Sequence, residues 1–295
     1  MRRRLAALCL LGGLGTLGAC AVQAQSPVWA IHGTHNTVYL AESVHLLKAS
    51  DARLPAAFDT AYAGARTIVM EIDLSNLDTE HMQAYMLEHA ALKNGTTTLR
   101  QAIGEQRFAK LGAEAARLGL PLEVLETLEP WAVALTLTDL EYLRLGFDPE
   151  QGVEKQIERR ARADQKPMLG LETLEEQLGQ LEKLSPEQQA RFLELTMEEM
   201  HEAEHETDAL LAAWRAGDTR KMAELLSSEY DSFPELFRAL VTERNRRWLP
   251  QIERFLKDDH DYMVVVGALH VVGEQGLLEM MRHDGYAPVP VRAAQ

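Results

Sequence analysis

Apolar residues follow two rhythms along this chain. Short runs rich in Val, Ile, Leu and Tyr recur near 28–32, 37–44, 67–72, 120–125, 166–171, 262–268 and 286–291, with the length and β-branched content of strands. Most are separated by longer charged stretches whose apolar residues return every three or four positions, as amphipathic helices require. This alternation predicts an α/β fold: a mixed central sheet flanked by helices. The glycine and asparagine of His32-Gly33-Thr34-His35-Asn36 join the first two runs as a hairpin, which makes His32 and His35 turn residues. Leu118-Gly119-Leu120-Pro121 punctuates the end of a helix. From about 174 to 248 the strand signal vanishes, giving a helical insertion before the last strands. Ser185-Pro186-Glu187 starts one of its helices, with serine as N-cap and proline at the first helical position. With no internal repeat or long linker, residues 25–295 read as a single domain.

The N-terminus bears on compartment. Met1-Arg2-Arg3-Arg4 is basic, and Leu5 to Leu17 is apolar but too short to span a bilayer, so residues 1–24 read as a secretory signal peptide. Two cleavage patterns compete. Leu17-Gly18-Ala19-Cys20 has the form of a lipobox, the signal ending before a lipidated Cys20, whereas Val22-Gln23-Ala24 fits ordinary cleavage before Gln25. The first is favoured, and the protein is expected in the periplasm or lipid-anchored in the bacterial envelope, touching membrane only through Cys20. Both cysteines, Cys9 and Cys20, lie in the leader, so the mature chain holds no disulfide despite an oxidising destination. The formal charge of -15 becomes about -18 when the three leader arginines are removed (-15 - 3). So acidic a chain disfavours nucleic acid as a partner.

Two strand-like runs at opposite ends of the chain finish on histidines: Val38 to His45 and Val264 to His270. A strand-end histidine projects from the rim of a sheet, where α/β folds collect ligands, which suggests one shared site. Between them, the strand Thr67-Ile68-Val69-Met70-Glu71-Ile72-Asp73 ends in carboxylates, Gly170-Leu171-Glu172 brings another, and Arg244-Asn245 precedes the last histidine. This order resembles the TraB/GumN family, whose eukaryotic relatives include the Tiki metalloproteases. The resemblance rests on the two Gly-x-x-His segments, the glutamate-tipped strand, Arg244-Asn245 and the tail His270-x-x-Gly273-x-x-Gly276. It continues through Glu129-Pro130-Trp131, Gly146-Phe147-Asp148-Pro149-Glu150-Gln151-Gly152-Val153, Gly170-Leu171-Glu172-Thr173 and Trp214-Arg215-Ala216-Gly217-Asp218, and so covers nearly the whole chain after the leader. One position departs: Glu42 stands where the family's first Gly-x-x-His has glycine. A glutamate there would crowd the site, add a ligand or mark lost activity.

Two neutral imidazoles with one or two carboxylates suit a divalent transition metal such as zinc, manganese, cobalt or iron. The expected ligands are His45, Glu71 and His270, with Glu172 as general base or fourth ligand. Arg244 would hold a substrate carboxylate or stabilise an oxyanion, and Asn245 would orient a ligand or supply a further donor; each also has a purely structural reading. Asp73 reads as a ligand or a turn cap, and Trp131 as a core anchor. The resemblance implies a metal-dependent hydrolase acting on a peptide or protein substrate. A non-catalytic envelope protein of the same fold, serving binding or assembly, is the alternative.

A third reading centres on His201-Glu202-Ala203-Glu204-His205, a literal His-Glu-x-x-His. On a helix, however, Glu194, Glu198, His201, His205 and Asp208 form one polar stripe opposite Leu193, Met197, Met200, Leu211 and Trp214, as a solvated face would. A catalytic zincin site, with Glu224 or Glu229 as third ligand, is therefore disfavoured. No Gly-x-Ser-x-Gly elbow or phosphate-binding glycine loop appears, and no cysteine nucleophile remains after the leader, which argues against serine and cysteine hydrolases and nucleotide cofactors.

Overall fold

The computed structural model describes residues 26–292 apart from 75, 77–78, 93–96 and 202. The leader assignments, 1–24 with Cys9 and Cys20, lie outside the described residues, as does Glu202. Eight strands are found among the described residues: β1 (Val28–His32), β2 (Thr37–Ser43), β3 (Leu47–Lys48), β4 (Thr67–Met70), β5 (Phe147–Asp148), β6 (Met168–Gly170), β7 (Tyr262–Gly267) and β8 (Val289–Pro290). Six build one sheet in the order β6-β4-β7-β2-β1-β8, while β3 and β5 form a separate two-stranded ribbon. The sheet is mixed, as expected. β6, β4, β7 and β2 run parallel, and β1 pairs antiparallel with both β2 and β8.

The last long strand in sequence is thus the middle of the parallel set. All six residues of β7 are buried, which explains why Tyr262-Met263-Val264-Val265-Val266 reads as a continuous apolar run rather than an alternating one. The hairpin forms at the expected place, closed by the Gly33 N–H donating to the Asn36 carbonyl at 2.9 Å, with His32 and His35 exposed. Three expected strands change. Residues 120–125 hold a short helix, Leu122–Leu125, entered from Pro121; so short an apolar run has no period that separates helix from strand. The runs at 166–171 and 286–291 contract to three and two paired residues at the sheet edges.

Helices fill 174–248 as expected: Leu174–Glu182, Pro186–Glu199, Ala203–Ala216, Thr219–Ser232, and a run from Pro234 into Glu243–Phe255. Ser185 caps the second of these, its hydroxyl accepting from the Gln188 N–H while the Gln188 side chain answers the Ser185 N–H. That helix packs its Ala190, Leu193 and Met197 against Leu111, Val133 and Leu137, forming a helical core apart from the one around the sheet. Trp131 is buried in a third apolar cluster, as a core anchor should be.

Glu42 is fully buried in β2. Strand alternation turns it to the face opposite Ser43, whose hydroxyl reaches Glu154. One Glu42 oxygen accepts from Trp29 Nε1 at 3.4 Å, and the other has no partner. The expectation that Glu42 would crowd the strand-end site or add a ligand is corrected, because its carboxyl lies on the other face of the strand. Burial pushes that carboxyl from 4.5 to about 8, against the weaker opposing effect of the Trp29 bond, so it is held as the neutral acid at pH 7.

This sets a pH dependence. With the folded value above the unfolded one, the contribution is complete below about 4.5 and lost as pH rises to about 8. The loss runs at about 1.4 kcal/mol per pH unit across that window. Glu42→Gln keeps the shape without the titration. Urea unfolding from pH 4 to 9 is expected to show wild type losing stability relative to the variant as pH rises, and parallel profiles would contradict the assignment.

Candidate active site

The parallel register brings the site together. Ser43 of β2 pairs with Gly267 of β7, and Met70 of β4 with Val265, so the carboxyl ends of three strands lie side by side. Glu71 follows β4 directly, His45 follows β2 by two residues, and His270 lies in the helical turn Ala268–Val271 after β7. They converge over Gly267. A methyl group on Gly267 would lie 3.3 Å from Glu71 Oε1, 3.5 Å from His45 Nε2 and 3.7 Å from His270 Cδ2. The bare glycine leaves this cradle open, and its N–H donates to Glu71 Oε1 at 2.7 Å.

Arg244 ties the cradle to the sheet. Its Nε donates to Glu172 Oε1 at 2.8 Å; Nη1 donates to the Leu240 carbonyl and His270 Nε2, both at 3.0 Å; Nη2 reaches Glu71 Oε2 at 2.5 Å and Glu172 Oε1 at 2.6 Å. All five guanidinium N–H groups have an acceptor within reach. In this arrangement Arg244 has no donor to spare for a substrate carboxylate or oxyanion, and of its two expected roles the geometry favours the structural one, internal pairing. The Leu240 carbonyl it uses belongs to a π-helical turn, Arg238–Thr242, where the Glu243 N–H bonds back to Arg238. Trp248, fully buried, lies 4.6 Å beneath the guanidinium and 4.5 Å from the His270 ring.

Glu172 is held beside Glu71 by backbone, its N–H donating to the Glu71 carbonyl at 2.9 Å, and Thr173 caps the helix that follows. Its carboxylate faces Arg244 and, at 3.4 Å, Arg247, and it does not line the cavity above the cradle. Burial raises its proton affinity against the pull of Arg244. The expectation of Glu172 as general base or fourth ligand gives way to a counter-charge for Arg244. Burial would raise Glu71 too, but the charges facing it, chiefly the Arg244 guanidinium while His270 is neutral, and the Gly267 N–H outweigh it and hold the group ionised, below the usual carboxylate range.

Asn245 sets the tautomer of His270. Its Nδ2 donates to the carbonyls of His270 (3.1 Å) and Gln275 (3.0 Å), so Oδ1 is the acceptor that faces His270 Nδ1 at 2.8 Å. The His270 proton is thereby assigned to Nδ1 and the lone pair to Nε2. Burial keeps the ring neutral, down to about 3, against the upward pull of Glu71. Asn245 is a positioning residue.

Two residues that sequence reasoning missed act on His45. Glu154 Oε1 lies 2.7 Å from His45 Nδ1 and accepts from Ser43 Oγ at 2.5 Å. Glu154 sits in the first turn of the helix Val153–Ala163, which abuts the end of β2 because Gly152 lies against the His45 carbonyl; a methyl group there would come within 2.1 Å of that oxygen. The Val153 N–H then donates to the Val44 carbonyl at 3.0 Å. Glu154 pushes the proton affinity of His45 up. Since the ring is 66% exposed toward cavity water, which screens the pair, we assign the contact to ring orientation rather than stability.

Above the cradle opens a cavity of about 410 Å³, with Ser43, His45, Glu71, Arg244 and His270 among its lining residues. Among the described residues, no three His, Cys, Asp or Glu side chains already stand in an arrangement that could hold a metal ion. The Arg244 guanidinium bonds both His270 Nε2 and Glu71 Oε2. Asp73 accepts from the Asn76 side chain at 2.6 Å, as a turn residue does. The His-Glu-x-x-His match lacks the continuous helix it needs. One helix ends at Glu199 and the next begins at Ala203, leaving His201 exposed in the turn and 3.0 Å from Glu114. The side chain of His205 lies outside the described residues.

The model of the TraB/PrgY/gumN family matches residues 27–290 of the chain. The chain is also 24% identical over 244 residues to the uncharacterized protein YbaP of Escherichia coli (strain K12), a stretch covering 83% of this chain and 87% of that one. YbaP of Shigella flexneri matches to the same extent, 24% over 244 residues.

Removing Arg244 should leave two buried carboxylates without their main counter-charge. Arg244→Met is expected to cost about 3–5 kcal/mol in urea unfolding at pH 7. Adding Glu71→Gln should recover part of that loss, and strictly additive losses would contradict the coupling.

Proposed function

We propose, for a chain that belongs to the TraB/PrgY/gumN family, that the Gly267 cradle is the active site of a metal-dependent hydrolase acting on amide-type carbonyl substrates, peptides included. The observation that carries this reading is the convergence of His45, Glu71 and His270 on one point left open by a glycine. Their chemistry fits a divalent transition metal, two imidazole nitrogens and an ionised carboxylate, provided His45, whose charged form Glu154 favours, gives up its Nε2 proton on binding. The support behind each ring fits as well, with Glu154 on the far nitrogen of His45 and Asn245 on that of His270. Arg244 Nη1 must release His270 Nε2 for that nitrogen to serve as a ligand. When bound, such an ion polarises a carbonyl and makes water acidic enough to attack it. Glu71, already ionised, needs no deprotonation to serve. Asn245 keeps the lone pair of His270 turned inward, and Arg244 with Glu172 fixes the position of Glu71.

A second reading is favoured by the full engagement of Arg244: hydrolysis without metal, in which His45, oriented by Glu154, moves the proton beside Glu71. Exhaustive chelation separates the two.

Metal content of purified protein equilibrated with manganese, zinc or cobalt should fall at least about tenfold in His45→Ala and His270→Ala and stay unchanged in His201→Ala. Gly267→Ala, which crowds the cradle without demanding a new backbone conformation, should fold normally and lose both metal and hydrolysis. Hydrolysis that survives chelation selects the second reading. Neither metal nor hydrolysis selects a binding or assembly role.

We further propose that the leader exports the chain and that Cys20 carries a lipid anchor in the envelope. Cys20→Ala is expected to move the protein from the membrane to the soluble envelope fraction; an unchanged distribution would favour cleavage before Gln25.

A further inference from the structure

The cavity is polar only in part. Its floor carries His45, Glu71, Arg244 and His270, while helices from both halves of the chain turn leucines toward the space above. Leu135, Leu178, Leu210, Leu240 and Leu269 are each only half-buried, so the fold leaves their apolar surface facing the void. Apolar surface left uncovered inside a cleft is surface that a ligand can remove from water. The size narrows the ligand. A cavity of about 150 Å³ accommodates benzene, whereas this one measures about 410 Å³. One leucine-like side chain would leave most of it unfilled, while an extended chain of about eight to ten carbons is of the right scale.

Charge narrows it further. The N–H groups of Arg244 are taken by Glu71, Glu172, His270 and the Leu240 carbonyl, and Glu154 already faces His45. In the metal-free protein no unpaired cation among the described floor residues awaits a carboxylate, and the Glu71 and Glu154 carboxylates beside the cradle would repel one.

We infer that the cavity takes an aliphatic acyl chain whose uncharged carbonyl, an amide or ester, sits at the Gly267 cradle with the chain among the leucines. This rests on the cradle being the reacting site, and substrate binding is measurable apart from turnover. The chain contributes binding energy roughly in proportion to the apolar area it buries, and the neutral carbonyl avoids the carboxylates of the floor.

The test is calorimetric binding of neutral N-acyl ethanolamides, from two to twelve acyl carbons, to the full mature protein freed of metal by chelation, alongside hydrolysis of p-nitrophenyl esters of the same chain lengths by the protein with and without added manganese or zinc. Affinity is expected to rise up to about fourfold per methylene, equivalent to about 0.8 kcal/mol, and to level off near eight to ten carbons. Leu178→Gln and Leu269→Gln, both at half-buried positions, should flatten that slope, with folding checked by an unchanged melting transition. Acetyl-leucinamide should bind no better than the four-carbon amide, and the eight-carbon fatty acid should bind at least tenfold more weakly than its amide. A flat chain-length series, tighter binding of acetyl-leucinamide than of the long amides, or tighter binding of the fatty acid overturns the inference. A slope in binding without hydrolysis keeps the inference and removes the hydrolase reading. Hydrolysis that ignores chain length does the reverse.

Discussion

A guanidinium buried among two carboxylates and an imidazole is the constraint on which the rest of this site depends. Arg244 reaches Glu71 at the end of β4, Glu172 just beyond β6 and His270 just beyond β7, so one side chain links three neighbouring strand ends. Burying these charges is costly, and the cost is met only because every guanidinium donor finds an acceptor. Two local features make that possible. The π-helical turn presents the Leu240 carbonyl to the guanidinium, and Trp248 supports both Arg244 and His270 from below. The cluster holds Glu71 ionised and His270 neutral in the same small volume, the two states that a ligand set or a proton-transfer site requires.

The second support is independent of the first. Glu154 reaches His45 from the helix that starts at Gly152, and Ser43 braces Glu154 from β2. The two imidazoles are therefore steered separately, one by a carboxylate and one by an amide. The cavity above them combines this charged floor with leucine walls.

Much of this was legible in the sequence, for reasons that can be named. β2, β4 and β7 are apolar enough to read as strands, and the family resemblance orders the residues at their ends, so His45, Glu71 and His270 stand out from the sequence. Their meeting depends on β7 entering the sheet between β4 and β2, a topological fact that no local pattern carries. Glu154 was missed because one acidic residue in a helical first turn looks like ordinary dipole compensation. The sequence leaves Arg244 open between a substrate-holding and a structural role, and places Glu172 in the site without its partner, because the pairing of the two is visible only in three dimensions. Leu120 to Leu125 was misassigned for want of length, and the His-Glu-x-x-His match was discounted on its polar stripe, while the break before Ala203 could not be seen. Glu42 marked a departure from the family pattern, but strand alternation sends its carboxyl to the opposite face.

The central claim is that these strand ends form a metal-holding reaction site. The most direct measurement is an anomalous-scattering map from crystals of the protein grown with manganese or zinc. The account predicts a peak beside Gly267, bounded by His45 Nε2, a Glu71 oxygen and His270 Nε2, with Arg244 withdrawn from His270 and still paired with Glu172. No peak in the cradle, with the guanidinium still donating to His270, or a peak at His201 instead, would contradict it.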